Sequence, residues 1–171
     1  MAQQTVVSSL IGANLSSSDT TALFALGTSA NATDGGAYQY CEATSTFITG
    51  EIVYLTPAGT AKTMLTALLA SAGNPDGLAF GFAQNIINQG EFGWFATRGR
   101  NLYVLCTGTV TGGVGDGVAF SANSGRLQNA PACAVAHTAF GIFITTSAST
   151  ATQSVAVATL TWPRAVPTGG S

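Results

Sequence analysis

The sequence predicts an all-β protein, either a β-sandwich or a β-barrel, and three observations carry that expectation. Apolar and polar residues alternate over short runs, which is the period of a half-buried strand. Those runs are filled with aromatic and β-branched residues, which suit a pleated surface. Turns rich in Gly, Asn and Ser separate them at short intervals along the 171 residues. An apolar content of 46%, with 9 Phe, 4 Tyr and 2 Trp, is well above what disordered chains carry, so a packed core is expected.

Residues 1–21 hold Ser16-Ser17-Ser18-Asp19-Thr20-Thr21 and little periodicity, and read as an N-terminal arm. Residues 22–163 read as a single β domain, and 164–171 as a C-terminal tail. Within the domain, Ala37 to Ala43 alternates with Tyr38 and Tyr40 on one face, and Glu51 to Leu55 follows as its hairpin partner. Leu78 to Phe82 and Phe92 to Phe95 flank the turn-like Asn88-Gln89-Gly90-Glu91. That hairpin should bring Phe80, Phe82, Phe92 and Trp94 together as a core aromatic cluster. Further strands are expected at Leu102–Val110, Val118–Phe120, Cys133–Ile144 and Val155–Trp162. One segment dissents: Ala61, Met64, Leu65, Leu68 and Leu69 fall at helical spacing between Thr60 and Gly73, predicting at most one short helix near residues 61–72. An internal echo links Ala79-Phe80-Gly81-Phe82 with Ala139-Phe140-Gly141-Ile142, too short by itself to establish a duplication.

Charged residues make up only 7% of the chain, and the net charge is −2. Lys62, Arg98, Arg100, Arg126 and Arg164 are too few and too scattered to neutralise a phosphate backbone, so direct nucleic-acid binding is not expected. The apolar runs are too short to span a bilayer as a helix, and the first residues lack the basic-then-apolar order of a signal peptide. No membrane partner is expected, and synthesis in the cytoplasm follows.

Catalytic chemistry finds little to work with. A hydrolase using Cys or Ser would depend on the only histidine, His137, which lies in an apolar run and reads as structural. The three cysteines, Cys41, Cys106 and Cys133, have no CxxC spacing and read as buried free thiols. The seven carboxylates are dispersed, and Asp34-Gly35-Gly36, Asp76-Gly77 and Asp116-Gly117 are turn chemistry rather than metal ligands. Gly112 to Gly117 lacks the Lys-Ser/Thr ending of a phosphate loop. No enzyme activity, metal or cofactor is therefore expected. The densest charge, Arg98-Gly99-Arg100, reads as a solvated turn or as a docking contact on an acidic neighbour.

Leu26-Gly27-Thr28, then Asp34 to Tyr40, then Gly50 to Leu55, then Gly90 to Phe95, follow in an order that resembles a group of small virion proteins of tailed bacteriophages, the capsid decoration or cement proteins. The resemblance spans roughly residues 23–127. It implies a non-enzymatic module on the capsid surface of the virion, commonly a homotrimer, whose partners are the major capsid protein and further copies of itself, made in the cytoplasm of the host bacterium. A tail-tube or fibre subunit is the alternative that the same composition permits. The assembly contacts suggested on this reading are Val6, Val7, Leu10 and Ile11 in the arm, Arg98 and Arg100, and Val166 and Pro167 in the tail.

Overall fold

The fold was analysed in a computed structural model, which describes residues 14–32, 35–64, 79–107, 118–120, 125–129, 137–146 and 154–167. These residues are all-β, as the alternation predicts, and none of them is helical. The strands are β1 (Ser29–Asn31), β2 (Ala37–Ala43), β3 (Ile52–Leu55), β4 (Thr60–Thr63), β5 (Ala79–Ala83), β6 (Phe92–Cys106), β7 (Val118–Phe120), β8 (Leu127–Asn129), β9 (His137–Thr146) and β10 (Ser154–Pro167).

The pairings close two rings that share β6. In the first, β2 pairs with β4, β4 with β3, β3 with β5, β5 with β6, and β6 returns to β2. In the second, β6 pairs with β8, β8 with β7, β7 with β9, β9 with β10, and β10 returns to β6. Among the described pairings only β2–β4 and β6–β8 are parallel, and they hold the same place in each ring. The registers agree as well. Val53, Tyr54 and Leu55 face Thr63, Lys62 and Ala61, while Val118, Ala119 and Phe120 face Asn129, Gln128 and Leu127. Ring closure removes most free strand edges, which would otherwise invite uncontrolled pairing. The echoing segments at Ala79 and Ala139 fall on β5 and β9, equivalent strands of the two rings. Their registers have slid by two residues, since Gly81 faces Val53 whereas Ala139 faces Val118, and a two-residue slide keeps each side chain on its face.

One strand can serve both rings because β6 bends in its middle. Gly99 has φ 149° and Asn101 φ 55°, and the ladders shift register here, against β2 between Ala37 and Tyr38 and against β10 between Ala158 and Leu160. Extra residues on one strand produce such bends. Arg98-Gly99-Arg100 is therefore a bulged stretch inside a strand, not the turn expected from its glycine.

Alternation along the first ring sorts its side chains into two clusters. Cys41 and Ala43 of β2, Val53 and Leu55 of β3, Ala61 of β4, Ala83 of β5 and Phe95 of β6 point to one side and fill the ring, closed off by Phe47 and Ile87. The opposite face carries Tyr38, Tyr40, Ile52, Phe80, Phe82 and Trp94 and is buried too, in a cluster reaching Leu102, Val104, Leu127, Ile142 and Leu160 of the second ring.

The structure corrects several expectations. β2 and β3 are not hairpin partners: β2 lies between β6 and β4, because the intervening chain is drawn off by the backbone pairing of Phe47 with Ile87 before it returns as β3. Residues 61–63 of the expected helix lie in strand β4, since Gly59 (φ 77°) closes a turn with Thr56 and the strand gains backbone partners on both β3 and β2; residues 65–72 lie outside the described residues. The tail does not begin at 164, because β10 runs on to Pro167 and pairs Arg164–Pro167 with Phe140–His137. Pro163, which has no N–H to donate, falls where that ladder breaks register between Leu160 and Arg164. The last part of the expected arm belongs to the domain: Leu15 is buried, and Asp19 exchanges two backbone hydrogen bonds with Phe92, of 2.9 and 2.8 Å.

Candidate assembly surface

The four expected core aromatics do join one cluster, with Phe80, Phe82 and Trp94 buried and Phe92 packed at its margin. Their partners differ from the hairpin expectation. β5 and β6 set Phe82 opposite Ala96, while Trp94 lies opposite Tyr40 of β2. Tyr40 is the hub that sequence reading passed over, with ring centroids 5.1 Å from Trp94, 5.3 Å from Phe24 and 6.4 Å from Phe92. Phe24 also meets Trp94 edge-on at 5.3 Å. These contacts hold down the strap at residues 22–28. Leu23 N–H donates to the Tyr40 hydroxyl at 3.1 Å, and Gly27 N–H to the Tyr40 carbonyl at 2.8 Å.

A second feature is a repeated turn, 40 residues apart. Ala43…Phe47-Ile48-Thr49-Gly50-Glu51…Tyr54-Leu55 recurs as Ala83…Ile87-Asn88-Gln89-Gly90-Glu91…Trp94-Phe95. Both glycines have positive φ, 84° and 80°, and both turns close with the Glu N–H on the carbonyl three residues back, at 3.1 and 3.0 Å. Each carboxylate then accepts the N–H of the turn's first residue, Ile48 or Asn88, at 3.0 Å. The two copies face each other through mutual Phe47–Ile87 hydrogen bonds of 2.9 and 3.1 Å. The signal was in the sequence as Gly-Glu at 50–51 and 90–91, but hairpin logic assigned the two copies to unrelated turns.

The copies sit in different surroundings, and their acids respond in opposite directions. Glu51 lies at the junction of the rings beside Gly125, and burial pushes its carboxyl up, against the pull of the Ile48 N–H and the Arg126 charge. Glu91, half-buried at the surface, is held below the usual range by hydrogen bonds from the Ser18 hydroxyl, at 2.6 Å, and from Asn88. At the same junction Gln84 imitates a strand, donating to the Tyr103 carbonyl at 3.1 Å and accepting its N–H at 2.9 Å, while Leu105 N–H reaches the Gly50 carbonyl at 2.7 Å.

Large exposed apolar side chains among the described residues fall into two groups: Leu23 and Leu26 on the strap, and Ile48, Ile86, Tyr103 and Val155 around the junction. Of the contacts suggested by sequence, Arg100 is exposed and Arg98 half-buried in the β6 bulge. Val166 and Pro167 end β10 opposite Thr138 and His137. Val6, Val7, Leu10 and Ile11 lie outside the described residues.

The described titratable groups fall in separate places. Cys41 and Cys106 are buried and desolvated, their thiols pushed up to about 12 and about 11, so neither is a thiolate near neutrality. Cys133 lies outside the described residues. Among the described residues no group of three or more His, Cys, Asp and Glu side chains could hold a metal ion. No helix among them is long and apolar enough to cross a membrane. A depression of about 180 Å³ lies against Gln39, Tyr54 and Pro57, below the roughly 300–1,000 Å³ of ligand pockets. In comparisons with protein-family models, with curated proteins and with solved structures, nothing matches the chain.

Proposed function

We propose that this chain is a structural, non-enzymatic subunit of a tailed-phage virion, a decoration protein that binds the outer surface of the head as a homotrimer and stabilises it by bridging copies of the major capsid protein. The observation that carries this reading is the pair of exposed apolar groups on a closed, all-β body in which only 7% of residues are charged. Large apolar side chains that neighbour one another at a surface are better covered by a partner than by water. Closed rings give such a surface a rigid backing, so that little ordering entropy is lost on docking. The order of the Gly-Thr, Asp-Gly-Gly, Gly-Glu and Gly-Trp segments supplies the phage context. Many weak and identical contacts across a lattice would multiply into firm attachment.

The test uses phage heads assembled without this protein. Purified chain added to them should co-sediment and raise their resistance to heat, and imaging should show added density on the outer surface at symmetry-related positions. Density confined to the tail would replace this reading with the tail-tube or fibre alternative, and failure to bind heads or tails would overturn it.

A further inference from the structure

A protease that cuts after Lys or Arg has five bonds to choose from in this chain, following Lys62, Arg98, Arg100, Arg126 and Arg164. All five residues lie on or beside strands of the two rings. Residues 1–61, the strap included, contain neither Lys nor Arg, and the same holds for the other segments outside the described residues, 65–78, 108–117, 121–124, 130–136, 147–153 and 168–171. Asp34, Asp76 and Asp116 do lie in such segments. Charge is thus admitted there, but only of the sign that such an enzyme does not read.

A protease holds its substrate as an extended strand, through backbone groups on both sides of the bond to be cut. In the folded chain those groups are already engaged. Lys62 lies opposite Tyr54 of β3, and the carbonyl of Ala61 before it accepts the Thr44 N–H on the other edge of β4. Arg98 is paired on both edges, with Ala37 of β2 and Thr161 of β10. Around Arg126, the Gly125 carbonyl accepts the Ile52 N–H at 3.1 Å, the Leu127 carbonyl accepts the Thr107 N–H at 2.8 Å, and Leu127 is wholly buried. Arg164 and Ala165 lie opposite Phe140 and Ala139 of β9. The Lys62 side chain is exposed, so what is withheld is the backbone. Arg100, exposed in the β6 bulge, has no opposite residue in the ladders with β2 and β10, and its bond is guarded differently. Gly99 and Asn101 on its two sides have φ of 149° and 55°, which turns the backbone out of the extended course that a protease holds.

We infer that the fold withholds from trypsin-class proteases every bond they are able to cut, so that the folded chain persists where such enzymes act. Cleavage then waits for a ladder to open, and its rate is set by the small population of opened chains rather than by the enzyme. Such resistance suits a subunit displayed on the outside of a particle, where secreted proteases reach it. It belongs to the chain's own strands, however, and holds whether or not the chain binds phage heads.

The test digests the purified full-length chain with trypsin and follows each bond by mass spectrometry, beside a peptide copying residues 94–105, which holds Arg98 and Arg100 without their ladders. All five bonds of the folded chain should be cut at least about a thousandfold more slowly than the peptide, in line with the opened fractions of small domains. Any bond cut faster than that overturns the inference. Placement is tested by Ala22→Arg, which puts a basic residue at an exposed position of the strap, outside every strand. That variant should be cut after residue 22, and only there, while the parent is still intact. Resistance at residue 22 equal to that of the five natural bonds would mean that overall rigidity protects the chain and the placement of its basic residues does not, which also overturns the inference. Circular dichroism first checks that the variant is folded; should it not be, Thr21→Lys, on the same exposed stretch, takes its place with the same two readings. Head binding is assayed separately. A chain that resists trypsin but ignores heads sinks the capsid reading alone, whereas one that decorates heads but is readily cut sinks the resistance alone.

Discussion

Replacing Trp94 by Ala should be among the most damaging single changes in the first ring. The indole is only 2% exposed, lies opposite Tyr40 across the β2–β6 ladder and touches the rings of both Tyr40 and Phe24. Truncating a buried Trp to Ala costs about 3–5 kcal/mol, and each aromatic pair lost contributes about 0.5–1.5 kcal/mol beyond its area. The site cannot collapse cheaply, because Tyr40 and Trp94 stand on strands held by ladder hydrogen bonds, so the upper half of that range is expected. In a chain of this size the melting temperature should fall by roughly 8–20 °C. Thermal and urea unfolding followed by far-ultraviolet circular dichroism, at one fixed protein concentration so that association does not shift the curves, measures it. Trp94→Phe, which keeps a ring against Tyr40, should retain more than half of the lost stability. A Trp94→Ala variant within about 1 kcal/mol of the parent would refute the packing argument, since no buried indole with two ring partners is that cheap to remove.

Gly81→Ala should destabilise by about 1–3 kcal/mol in urea titration, because the new methyl would stand 2.8 Å from Leu55 Cδ1 and 3.0 Å from Phe95 Cβ inside the ring; an unchanged midpoint would mean the ring has room to spare. For Glu51, whose carboxyl is raised in the fold, the native state holds its proton more tightly than the unfolded chain, so its contribution is fully present below the unfolded carboxylate range and is lost as pH rises through the folded value. Glu51→Gln should therefore gain on the parent between pH 4 and pH 7 in melting temperature, and a difference that stays constant with pH would show that burial does not govern this acid. Deleting residues 1–21 should lower stability, about 1.5–3 kcal/mol from the burial of Leu15 alone, with the Asp19–Phe92 pairing lost besides. An unchanged melt would return residues 14–21 to the role of a free arm.

The fold class was legible because alternation is a local signal: Tyr38 and Tyr40, Phe80 and Phe82, and Val155 to Leu160 announce strands without any knowledge of their partners. Partnership was not legible, because ring closure pairs β2 with β4 and β6 at long range, and no turn residue between 44 and 51 says that the chain will not fold back directly. The strand at Thr60–Thr63 was hidden for a related reason: hydrogen bonding on both edges overrode a helical spacing of apolar residues. Buried positions of the aromatic cluster could be read from sequence, but the exposed isoleucines could not. Ile48 and Ile86 look like any other strand apolar residue until the Phe47–Ile87 bridge shows which side of the chain faces out. The proposed assembly surface is thus visible only once register is known.

Sharing β6 has a consequence for cooperativity that the two rings' likeness would otherwise obscure. Two separate small barrels would melt independently, each held by its own core. Here the Tyr40 and Trp94 side of the first ring and the Leu102, Val104 and Leu160 side of the second belong to one continuous cluster. Moreover, β6 is hydrogen-bonded to β2 and β5 at one end and to β10 at the other, so releasing either ring frays the strand that closes its neighbour. A half-unfolded chain would expose the shared cluster while recovering the chain entropy of only one half, and its population should stay small. The two tryptophans make this measurable, since Trp94 lies in the first ring and Trp162 in β10 of the second. Trp162→Phe leaves fluorescence reporting on the first ring, and Trp94→Phe leaves it reporting on the second. Within each variant, the fluorescence and circular dichroism transitions in urea should coincide in midpoint and slope. A variant whose tryptophan signal changes well before the dichroism does would mean that the bulge at Gly99 to Asn101 is a hinge between independent units rather than a bend within one.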